Sequence, residues 1–432
     1  MDSFKKLKNL IKKKSARICV IGGGYVGLPL AVEFAKAGFK TTVFDIDVSK
    51  VRSINEGKSY IEDIPSDELA RLVNDGYLEG MSNKGAISSA QVIVVTVPTP
   101  LNEKGEPDVS YIVRAFNDIA DYMQPPVLIS LESTTYPGHT EELGEFLKSR
   151  GFKYGEDFFL GFSPERINPG DKVWKFHNTP KIVGGLDPKA TELLVDFYSH
   201  AVEKVIPVSN ARTAEMTKLL ENTFRALNIA LVNEFAIISH KLNVDVWEVI
   251  EAAATKPFGF MKFYPGPGVG GHCIPIDPIY LLWKVKSLGI NAELIELADK
   301  INKYMPKFTV SLLEDALKKA GRKIEGERIL IVGLAYKKNI SDTRESPAIE
   351  IMHILRSKGA EVAYHDPHVP TFGNMKSMDL KKSLDWTDVV MITTDHDNVN
   401  YELIAENAEI IVDTKNVIRR KGLKPLGKLV VL

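Results

Sequence analysis

Apolar positions along the chain keep two different periods. Stretches at 17–21, 91–97 and 127–132, apolar at most positions, predict buried strands, because a strand covered on both faces needs no alternation, and 40–44 (Lys-Thr-Thr-Val-Phe) is expected as a second strand closing on Asp45. Stretches with helical spacing lie between them. The one at 28–37 carries Pro29 in its first turn, where a missing N–H is harmless, and ends at Gly38 as a C-cap glycine. Strands alternating with helices predict a parallel, doubly wound sheet.

The period changes near Ser209. Residues 211–241 hold no Gly or Pro, and Met216, Leu219, Leu220, Phe224, Leu227, Ala230, Leu231, Phe235 and Ile238 recur at steps that fit one helical face. The spacing predicts one helix about 45 Å long. A further helix is expected at 246–254, a Gly/Pro-rich loop at 256–278 and a helix at 292–304. A second α/β unit begins at Arg328. A strand runs into a loop at Gly333, a helix at 347–358 ends on Gly359, and a strand at 361–364 closes at Asp366. Later strands are expected at 389–393 and 410–413.

Composition narrows the class. The chain has 432 residues, 44% hydrophobic and 26% charged, a balance that excludes a disordered or fibrous chain. Lys plus Arg is 55 and Asp plus Glu is 56, so the net charge of -1 gives no support for nucleic-acid or membrane-surface binding. The basic N-terminus, with Lys5, Lys6, Lys8, Lys12, Lys13, Lys14 and Arg17, lacks the apolar core and cleavage site of a signal peptide. Its Phe4, Leu7, Leu10 and Ile11 predict a solvated helix packing one edge on the domain, the alternative being a basic amphipathic helix that touches anionic lipid. The run at 18–32 is too short and too broken by Gly and Pro to span a bilayer, so no membrane insertion is expected. Only two cysteines, Cys19 and Cys273, are present. That excludes a disulfide scaffold and a Cys-rich zinc site; no metal is expected, and a cytoplasmic setting is.

Gly22-Gly23-Gly24-Tyr25-Val26-Gly27 fits G-x-G-x-x-G between a strand and a helix. The first glycine permits the tight turn, the second a close approach of pyrophosphate, and the third close packing of helix on strand. Asp45 ends the next strand, 18 residues after Gly27, where a carboxylate can accept both ribose hydroxyls. Together these predict a Rossmann-type dinucleotide domain, and the acidic Asp45 favours NAD over NADP. The second α/β unit lacks the fingerprint. It places Lys337 and Arg344 in the loop past a strand's C-terminal end, where cations suit a phosphorylated ligand.

Cys19, flanked by Ile18 and Val20 in a strand, reads as a small core residue. Cys273 lies in a Gly/Pro-rich segment between His272 and Asp277 and is a candidate covalent nucleophile. Lys218 and Asn222 share one helix face. Glu165 follows Ser163-Pro164 at a strand end, where a carboxylate can position water.

Together these motifs resemble the UDP-glucose/GDP-mannose dehydrogenase family over essentially the whole chain. They occur in order: the glycine loop, Val97-Pro98-Thr99-Pro100, Ser133-Thr134, Ser163-Pro164-Glu165, Lys218 to Asn222, Gly270-Gly271-His272-Cys273 with Asp277, and Lys337 with Asp342 to Pro347. Within the family the closest likeness is to UDP-N-acetylglucosamine 6-dehydrogenases, carried by 59–62, Glu132 to Gly138, 252–260 and 272–278. UDP-N-acetylmannosamine dehydrogenases share the last of these.

The resemblance implies an α/β fold in three parts: a Rossmann-type NAD domain at 1–209, a central helical domain with one long helix that makes the dimer at 210–306, and a C-terminal Rossmann-like domain binding the UDP-sugar at 307–432. It implies oxidation of a sugar C6 alcohol to a carboxylate with two NAD, in a homodimer or higher homo-oligomer, for surface polysaccharide synthesis. The implied catalytic residues are Cys273, Lys218, Asn222, Asp277, Glu165 and Thr134. NAD would meet Gly22, Gly24, Tyr25, Val26, Gly27, Asp45, Thr99, Thr134 and Arg344. The UDP-sugar would meet Glu165, Arg166, Ile167, Lys218, Asn222, Arg225, Gly270, Tyr336 and Lys337. The chain departs from the family at Ile276, where UDP-glucose members commonly carry Lys. Near Pro257, where many members place an Arg that enters the neighbouring subunit's site, it offers only Lys256 and Lys262. Competing readings are UDP-N-acetylmannosamine or UDP-glucose as substrate, a two-electron hydroxyacid dehydrogenase, and a non-catalytic NAD or sugar-nucleotide sensor.

Overall fold

The computed structural model of the protein describes residues 2–61, 63–166 and 173–432. The chain divides into two compact units, one of 1–221 with 283–288 and the other of 222–282 with 289–432.

The first unit is built on a sheet whose strands, among the described residues, are β1 Ile18–Ile21, β2 Thr41–Phe44, β3 Leu78–Met81, β4 Val92–Val95, β5 Val127–Leu131, β6 Phe158–Phe162, β7 Lys181–Gly185 and β8 Val205–Pro207. Their order is β3-β2-β1-β4-β5-β6-β7-β8, parallel throughout except where β7 pairs antiparallel with β6. The winding reverses beside β1, and the crevice at the C-terminal ends of β1 and β4 is where such sheets take a ligand. Strands β1, β2, β4 and β5 are buried on both faces, which is why β1 and β4 are apolar throughout; Thr41 and Thr42 of β2 and Ser130 of β5 are buried polar residues. Strand β3 was not expected: its Glu79 and Gly80 interrupt any apolar pattern. Strand β8 is three half-buried or exposed residues and left no pattern either.

The N-terminal helix Ser3–Lys12 is capped by the Asp2 side chain and buries Leu7 and Ile11 completely. Each of those side chains contributes about 1.5–3 kcal/mol through burial. Lys8 pairs with Glu192 of the helix Pro188–Tyr198, while Lys5, Lys6 and Lys12 are exposed and the apolar edge faces the core.

In the second unit the strands are β9 Arg328–Val332, β10 Glu361–His365, the short hairpin β11 Thr371–Phe372 and β12 Met375–Lys376, then β13 Val389–Ile392, β14 Ile410–Asp413 and β15 Lys428–Val431. Five of them form a parallel sheet in the order β10-β9-β13-β14-β15. The long helix spans Ala211–Leu242, 32 residues, as its spacing predicts, and from Asn222 onward it belongs to this unit. The helix expected at 292–304 instead runs Glu293–Lys319, through Pro306. A proline inside a helix costs about 3 kcal/mol. Here Phe308, Leu312, Leu313, Ala316 and Leu317 form one buried face beyond it and outweigh that cost. The Gly/Pro-rich loop ends at Ile276 rather than Pro278. Asp277 and Pro278 open the helix Asp277–Lys286, where a proline's missing N–H has no helical partner to lose. Among the described residues, no helix is long and apolar enough to cross a membrane.

Candidate active site

The glycine loop leaves β1 as expected and enters the helix Gly27–Lys36. Gly22 sits at φ +103° with Thr96 O 2.7 Å from where a Cβ would stand, and Gly27 packs so closely on Gly22 that a Cβ would collide with its carbonyl. Gly24 has no atom within 4 Å of a Cβ position, so its backbone stands open to a ligand. Asp45 at the end of β2 is buried and accepts from Gly23 N and Asp47 N, each at 2.8 Å. It therefore shapes the loop and also faces it. Thr96 Oγ1 donates to the carbonyls of Ile21 and Gly22, a clamp that sequence reasoning missed. Thr99 is buried past β4, and Thr134 is half-buried past β5. The two loops are joined by Ser133 Oγ donating to Val97 O at 2.8 Å. Tyr25 is exposed. The residues therefore fit a dinucleotide: an open backbone at Gly24, a helix N-terminus and a carboxylate at the strand end.

In the same unit Lys218 is buried, and its Nζ donates to the carbonyl of Glu165 at 2.7 Å. The structure thus brings together a base candidate and a water-positioning candidate. Glu165 also has Lys181 Nζ 3.9 Å from its Oε2. The guanidinium of Arg166 is engaged by Glu221 and by Pro180 O. Ile167 lies outside the described residues. Glu215, also missed, accepts from Gly138 N, Thr140 N and Thr140 Oγ1 at the start of the helix His139–Ser149. Burial lifts its carboxyl to about 7 against the pull of those hydrogen bonds. Its register on the buried face with Leu219, four positions on, was the available signal.

In the second unit the cysteine loop is held from three sides. Cys273 is exposed, and its carbonyl accepts from Asp277 N at 2.8 Å and Ile276 N at 3.2 Å. Asp277 is fully buried and takes a hydrogen bond from Asn222 Nδ2 at 2.5 Å. Gly271 N donates to Arg344 O at 2.9 Å, and Gly270 and Gly271 lie against Tyr336 so closely that a Cβ on either would stand under 3 Å from it. Upstream, Gly266 N donates to Asn233 Oδ1, Asn233 Nδ2 to Asn302 Oδ1, and Asn302 Nδ2 to Ala226 O. This buried asparagine ladder left no sequence motif. Cys19, in contrast, is buried, and burial pushes its thiol far up.

Tyr336 and Lys337 are half-buried in the loop after β9, with Tyr336 N donating to Asp342 O. That loop is anchored by Asp366, which accepts from Leu334 N, Ala335 N and His396 Nε2. Burial alone would raise the Asp366 carboxyl, but His396 and the backbone donors bring it down to about 2. Arg344 is exposed and held by Asp342 through Nε and Nη2. Arg225 is exposed on the long helix. A cavity of about 540 Å³ in this unit is lined by Thr223, Ile274, Pro275, Lys303, Ser346 and Glu350 among others, and by none of the site residues inferred from sequence.

The UDP-glucose/GDP-mannose dehydrogenase family models match along the chain: the NAD binding domain at residues 16–202, the central domain at 212–304 and the UDP binding domain at 330–420. The chain is similar to a UDP-N-acetyl-D-mannosamine dehydrogenase of Pyrococcus horikoshii, 39% identical over 411 residues, covering 93% of this chain and 96% of that protein. It is similar to a UDP-N-acetyl-D-glucosamine 6-dehydrogenase of Pseudomonas aeruginosa, 38% identical over 361 residues, covering 82% of this chain and 84% of that one. The solved structure of a UDP-D-ManNAc dehydrogenase from Pyrococcus horikoshii superposes with a TM-score of 0.89 at 37% identity, covering 96% of this chain and 98% of that one.

Proposed function

We propose that this chain, which belongs to the UDP-glucose/GDP-mannose dehydrogenase family, oxidises the C6 hydroxymethyl of a UDP-N-acetylhexosamine to a carboxylate in two hydride transfers. The observation that carries the reading is the exposed Cys273 on a glycine loop fastened by buried Asp277 and Asn222. A two-electron dehydrogenase needs no such thiol.

Bound NAD supplies the hydride acceptor for each oxidation. Lys218, directly or through water, takes the hydroxyl proton as the first hydride leaves. The Cys273 thiolate adds to the resulting aldehyde carbon, which keeps the intermediate from escaping. Loss of the second hydride turns this thiohemiacetal into a thioester. Lys218 and the second amide N–H of Asn222 stabilise the transient oxyanion. Water then attacks the thioester carbon. Glu165 accepts its proton, Asp277 and Thr134 help to orient it, the C–S bond breaks, and the thiolate returns. Tyr336 and Lys337 hold the UDP part, and Arg344 a nucleotide. Arg166, Ile167, Arg225 and Gly270 belong near the sugar. Gly22, Gly24, Tyr25, Val26, Gly27, Asp45 and Thr99 cradle NAD.

The sequence segments favour the gluco epimer. A second reading, the manno epimer, is favoured by the wider coverage of the relative named for it. An NADH-release assay across UDP-N-acetylglucosamine, UDP-N-acetylmannosamine and UDP-glucose separates them. Two NADH per sugar from one N-acetylhexosamine is expected; one NADH per sugar, or full turnover by Cys273→Ala, overturns the covalent four-electron reading. Saturable binding with no turnover of any UDP-sugar would favour a sensor.

Two further expectations rest on this reading. The chain works as a homodimer, because Phe224, Leu231, Phe235, Ile238 and Leu242 expose an apolar stripe at steps of seven, four, three and four along the long helix. It works in the cytoplasm, where a catalytic thiol stays reduced.

A further inference from the structure

Glu132 belongs to the segment from Glu132 to Gly138 that carries the family likeness, yet the reaction scheme gives it no part. It closes β5 with its side chain fully enclosed, and Lys181 Nζ stands 2.6 Å from its Oε2. Its other oxygen accepts from Tyr198 OH at 2.5 Å, and that hydroxyl lies 2.8 Å from Ser130 Oγ. Lys181 is itself the first residue of β7 and is almost wholly enclosed, its ammonium 5.4 Å from the centre of the Phe176 ring and 5.1 Å from that of Tyr198. The ammonium cannot swing away. Its remaining reach is toward Glu165, 3.9 Å distant.

One fixed cation therefore stands between two carboxylates. Lys181 draws one carboxylate oxygen of Glu165 toward itself, which limits how that carboxylate can turn. Glu132 shares that cation and holds it in place, so removing Lys181 or Glu132 changes the field at Glu165 in opposite directions. Among the described residues, Lys218 is bonded to the carbonyl of Glu165 rather than its carboxylate, and the guanidinium of the neighbouring Arg166 is engaged by Glu221.

We infer that Lys181 and Glu132 are positioning residues that fix and tune Glu165 for the hydrolysis of the Cys273 thioester. The inference rests on the covalent mechanism proposed above. In the step concerned, the oxygen of water bonds to the thioester carbon, one water proton goes to Glu165, the C–S bond breaks, and its electron pair leaves on sulfur as the thiolate.

The test uses the full-length enzyme with NAD and whichever UDP-sugar it turns over, with acid-quenched samples read by intact mass. In Lys181→Met the first hydride transfer should stay within about threefold of wild type, while hydrolysis slows at least tenfold and a sugar thioester accumulates on Cys273. The acid limb of the hydrolysis pH profile should move up in Lys181→Met and down in Glu132→Gln, opposite shifts that a loss of packing does not produce. Lys181→Arg should restore most of the hydrolysis rate. Should Lys181→Met fail to fold, Glu132→Gln and Lys181→Arg carry the same comparison. The inference is overturned if no adduct accumulates in any slowed variant, or if both pH limbs move the same way. If wild type forms no Cys273 adduct in single turnover and Cys273→Ala keeps four-electron turnover, the covalent mechanism itself fails and this inference falls with it.

Discussion

Asn222 donates its side-chain amide to Asp277 at 2.5 Å, and Asp277 donates its backbone N–H to the carbonyl of Cys273 at 2.8 Å. A side chain on the long helix thus braces the first residue of the helix behind the cysteine. Asp277→Asn keeps the shape but removes the charge, so the bond from Asn222 becomes a weaker amide–amide one. We expect kcat to fall about a hundredfold with KM for the UDP-sugar within about threefold, because the brace orients the reacting loop rather than gripping the nucleotide. Asn222→Ala leaves the buried carboxylate one donor short and should cost about 1–3 kcal/mol in urea unfolding. The double variant should be no worse in kcat than the worse single one; additive losses would show that the two residues act separately.

The two cysteines should separate under alkylation. Cys273 is exposed and Cys19 is buried, with its thiol pushed far above the ordinary value by desolvation. Iodoacetamide at neutral pH should modify one thiol per native chain, and activity should fall in step with it. In denaturant both should react. Peptide mapping that found Cys19 labelled first would contradict this assignment.

The N-terminal half announced itself because it is buried on both faces. Strands β1 and β4 are apolar throughout and β5 is apolar but for Ser130, and Gly22 and Gly27 had to be glycine because a Cβ would meet backbone oxygen. Cys273 was legible for a similar reason: so many Gly and Pro residues around one thiol fit no regular element. The supports were silent. Glu132 and Lys181 sit 49 positions apart in sequence and meet only when β5 and β7 fold. Asn233 and Asn302 are 69 apart, and a buried asparagine has no period. The helix through Pro306 was cut short because local propensity outvotes packing when packing is unseen.

Asp45 should decide the dinucleotide. Its carboxylate receives Gly23 N and Asp47 N, and Lys50 Nζ stands 3.4 Å from its Oδ2. Asp45→Ala removes the two loop anchors and the acceptor for the ribose hydroxyls. KM for NAD should rise about tenfold or more, with KM for the UDP-sugar changed less than about twofold. The preference against NADP should shrink, since the repelling charge is gone and Lys50 is released toward a 2′-phosphate. An unchanged NAD/NADP ratio of kcat/KM would show that Asp45 only shapes the loop.

Glu215 should leave a signature in the pH dependence of stability. Burial, aided by the like charge of Glu141, lifts its carboxyl from 4.5 to about 7, against hydrogen bonds from Thr140 and Gly138. Between those values the folded chain keeps a proton that the unfolded chain has released. Stability from this residue therefore falls as pH rises through the window from about 4.5 to about 7, and is level above it. Glu215→Gln cannot titrate, so subtracting it isolates the residue and cancels the other buried carboxylates, Glu132 among them. The wild-type minus variant unfolding free energy should drop by about 2–3 kcal/mol between pH 4.5 and pH 7.5 in urea titrations. The absolute offset depends on how the amide fits three donors at the helix start. The slope does not, and a flat or rising difference would mean that Glu215 is ionised in the folded chain throughout.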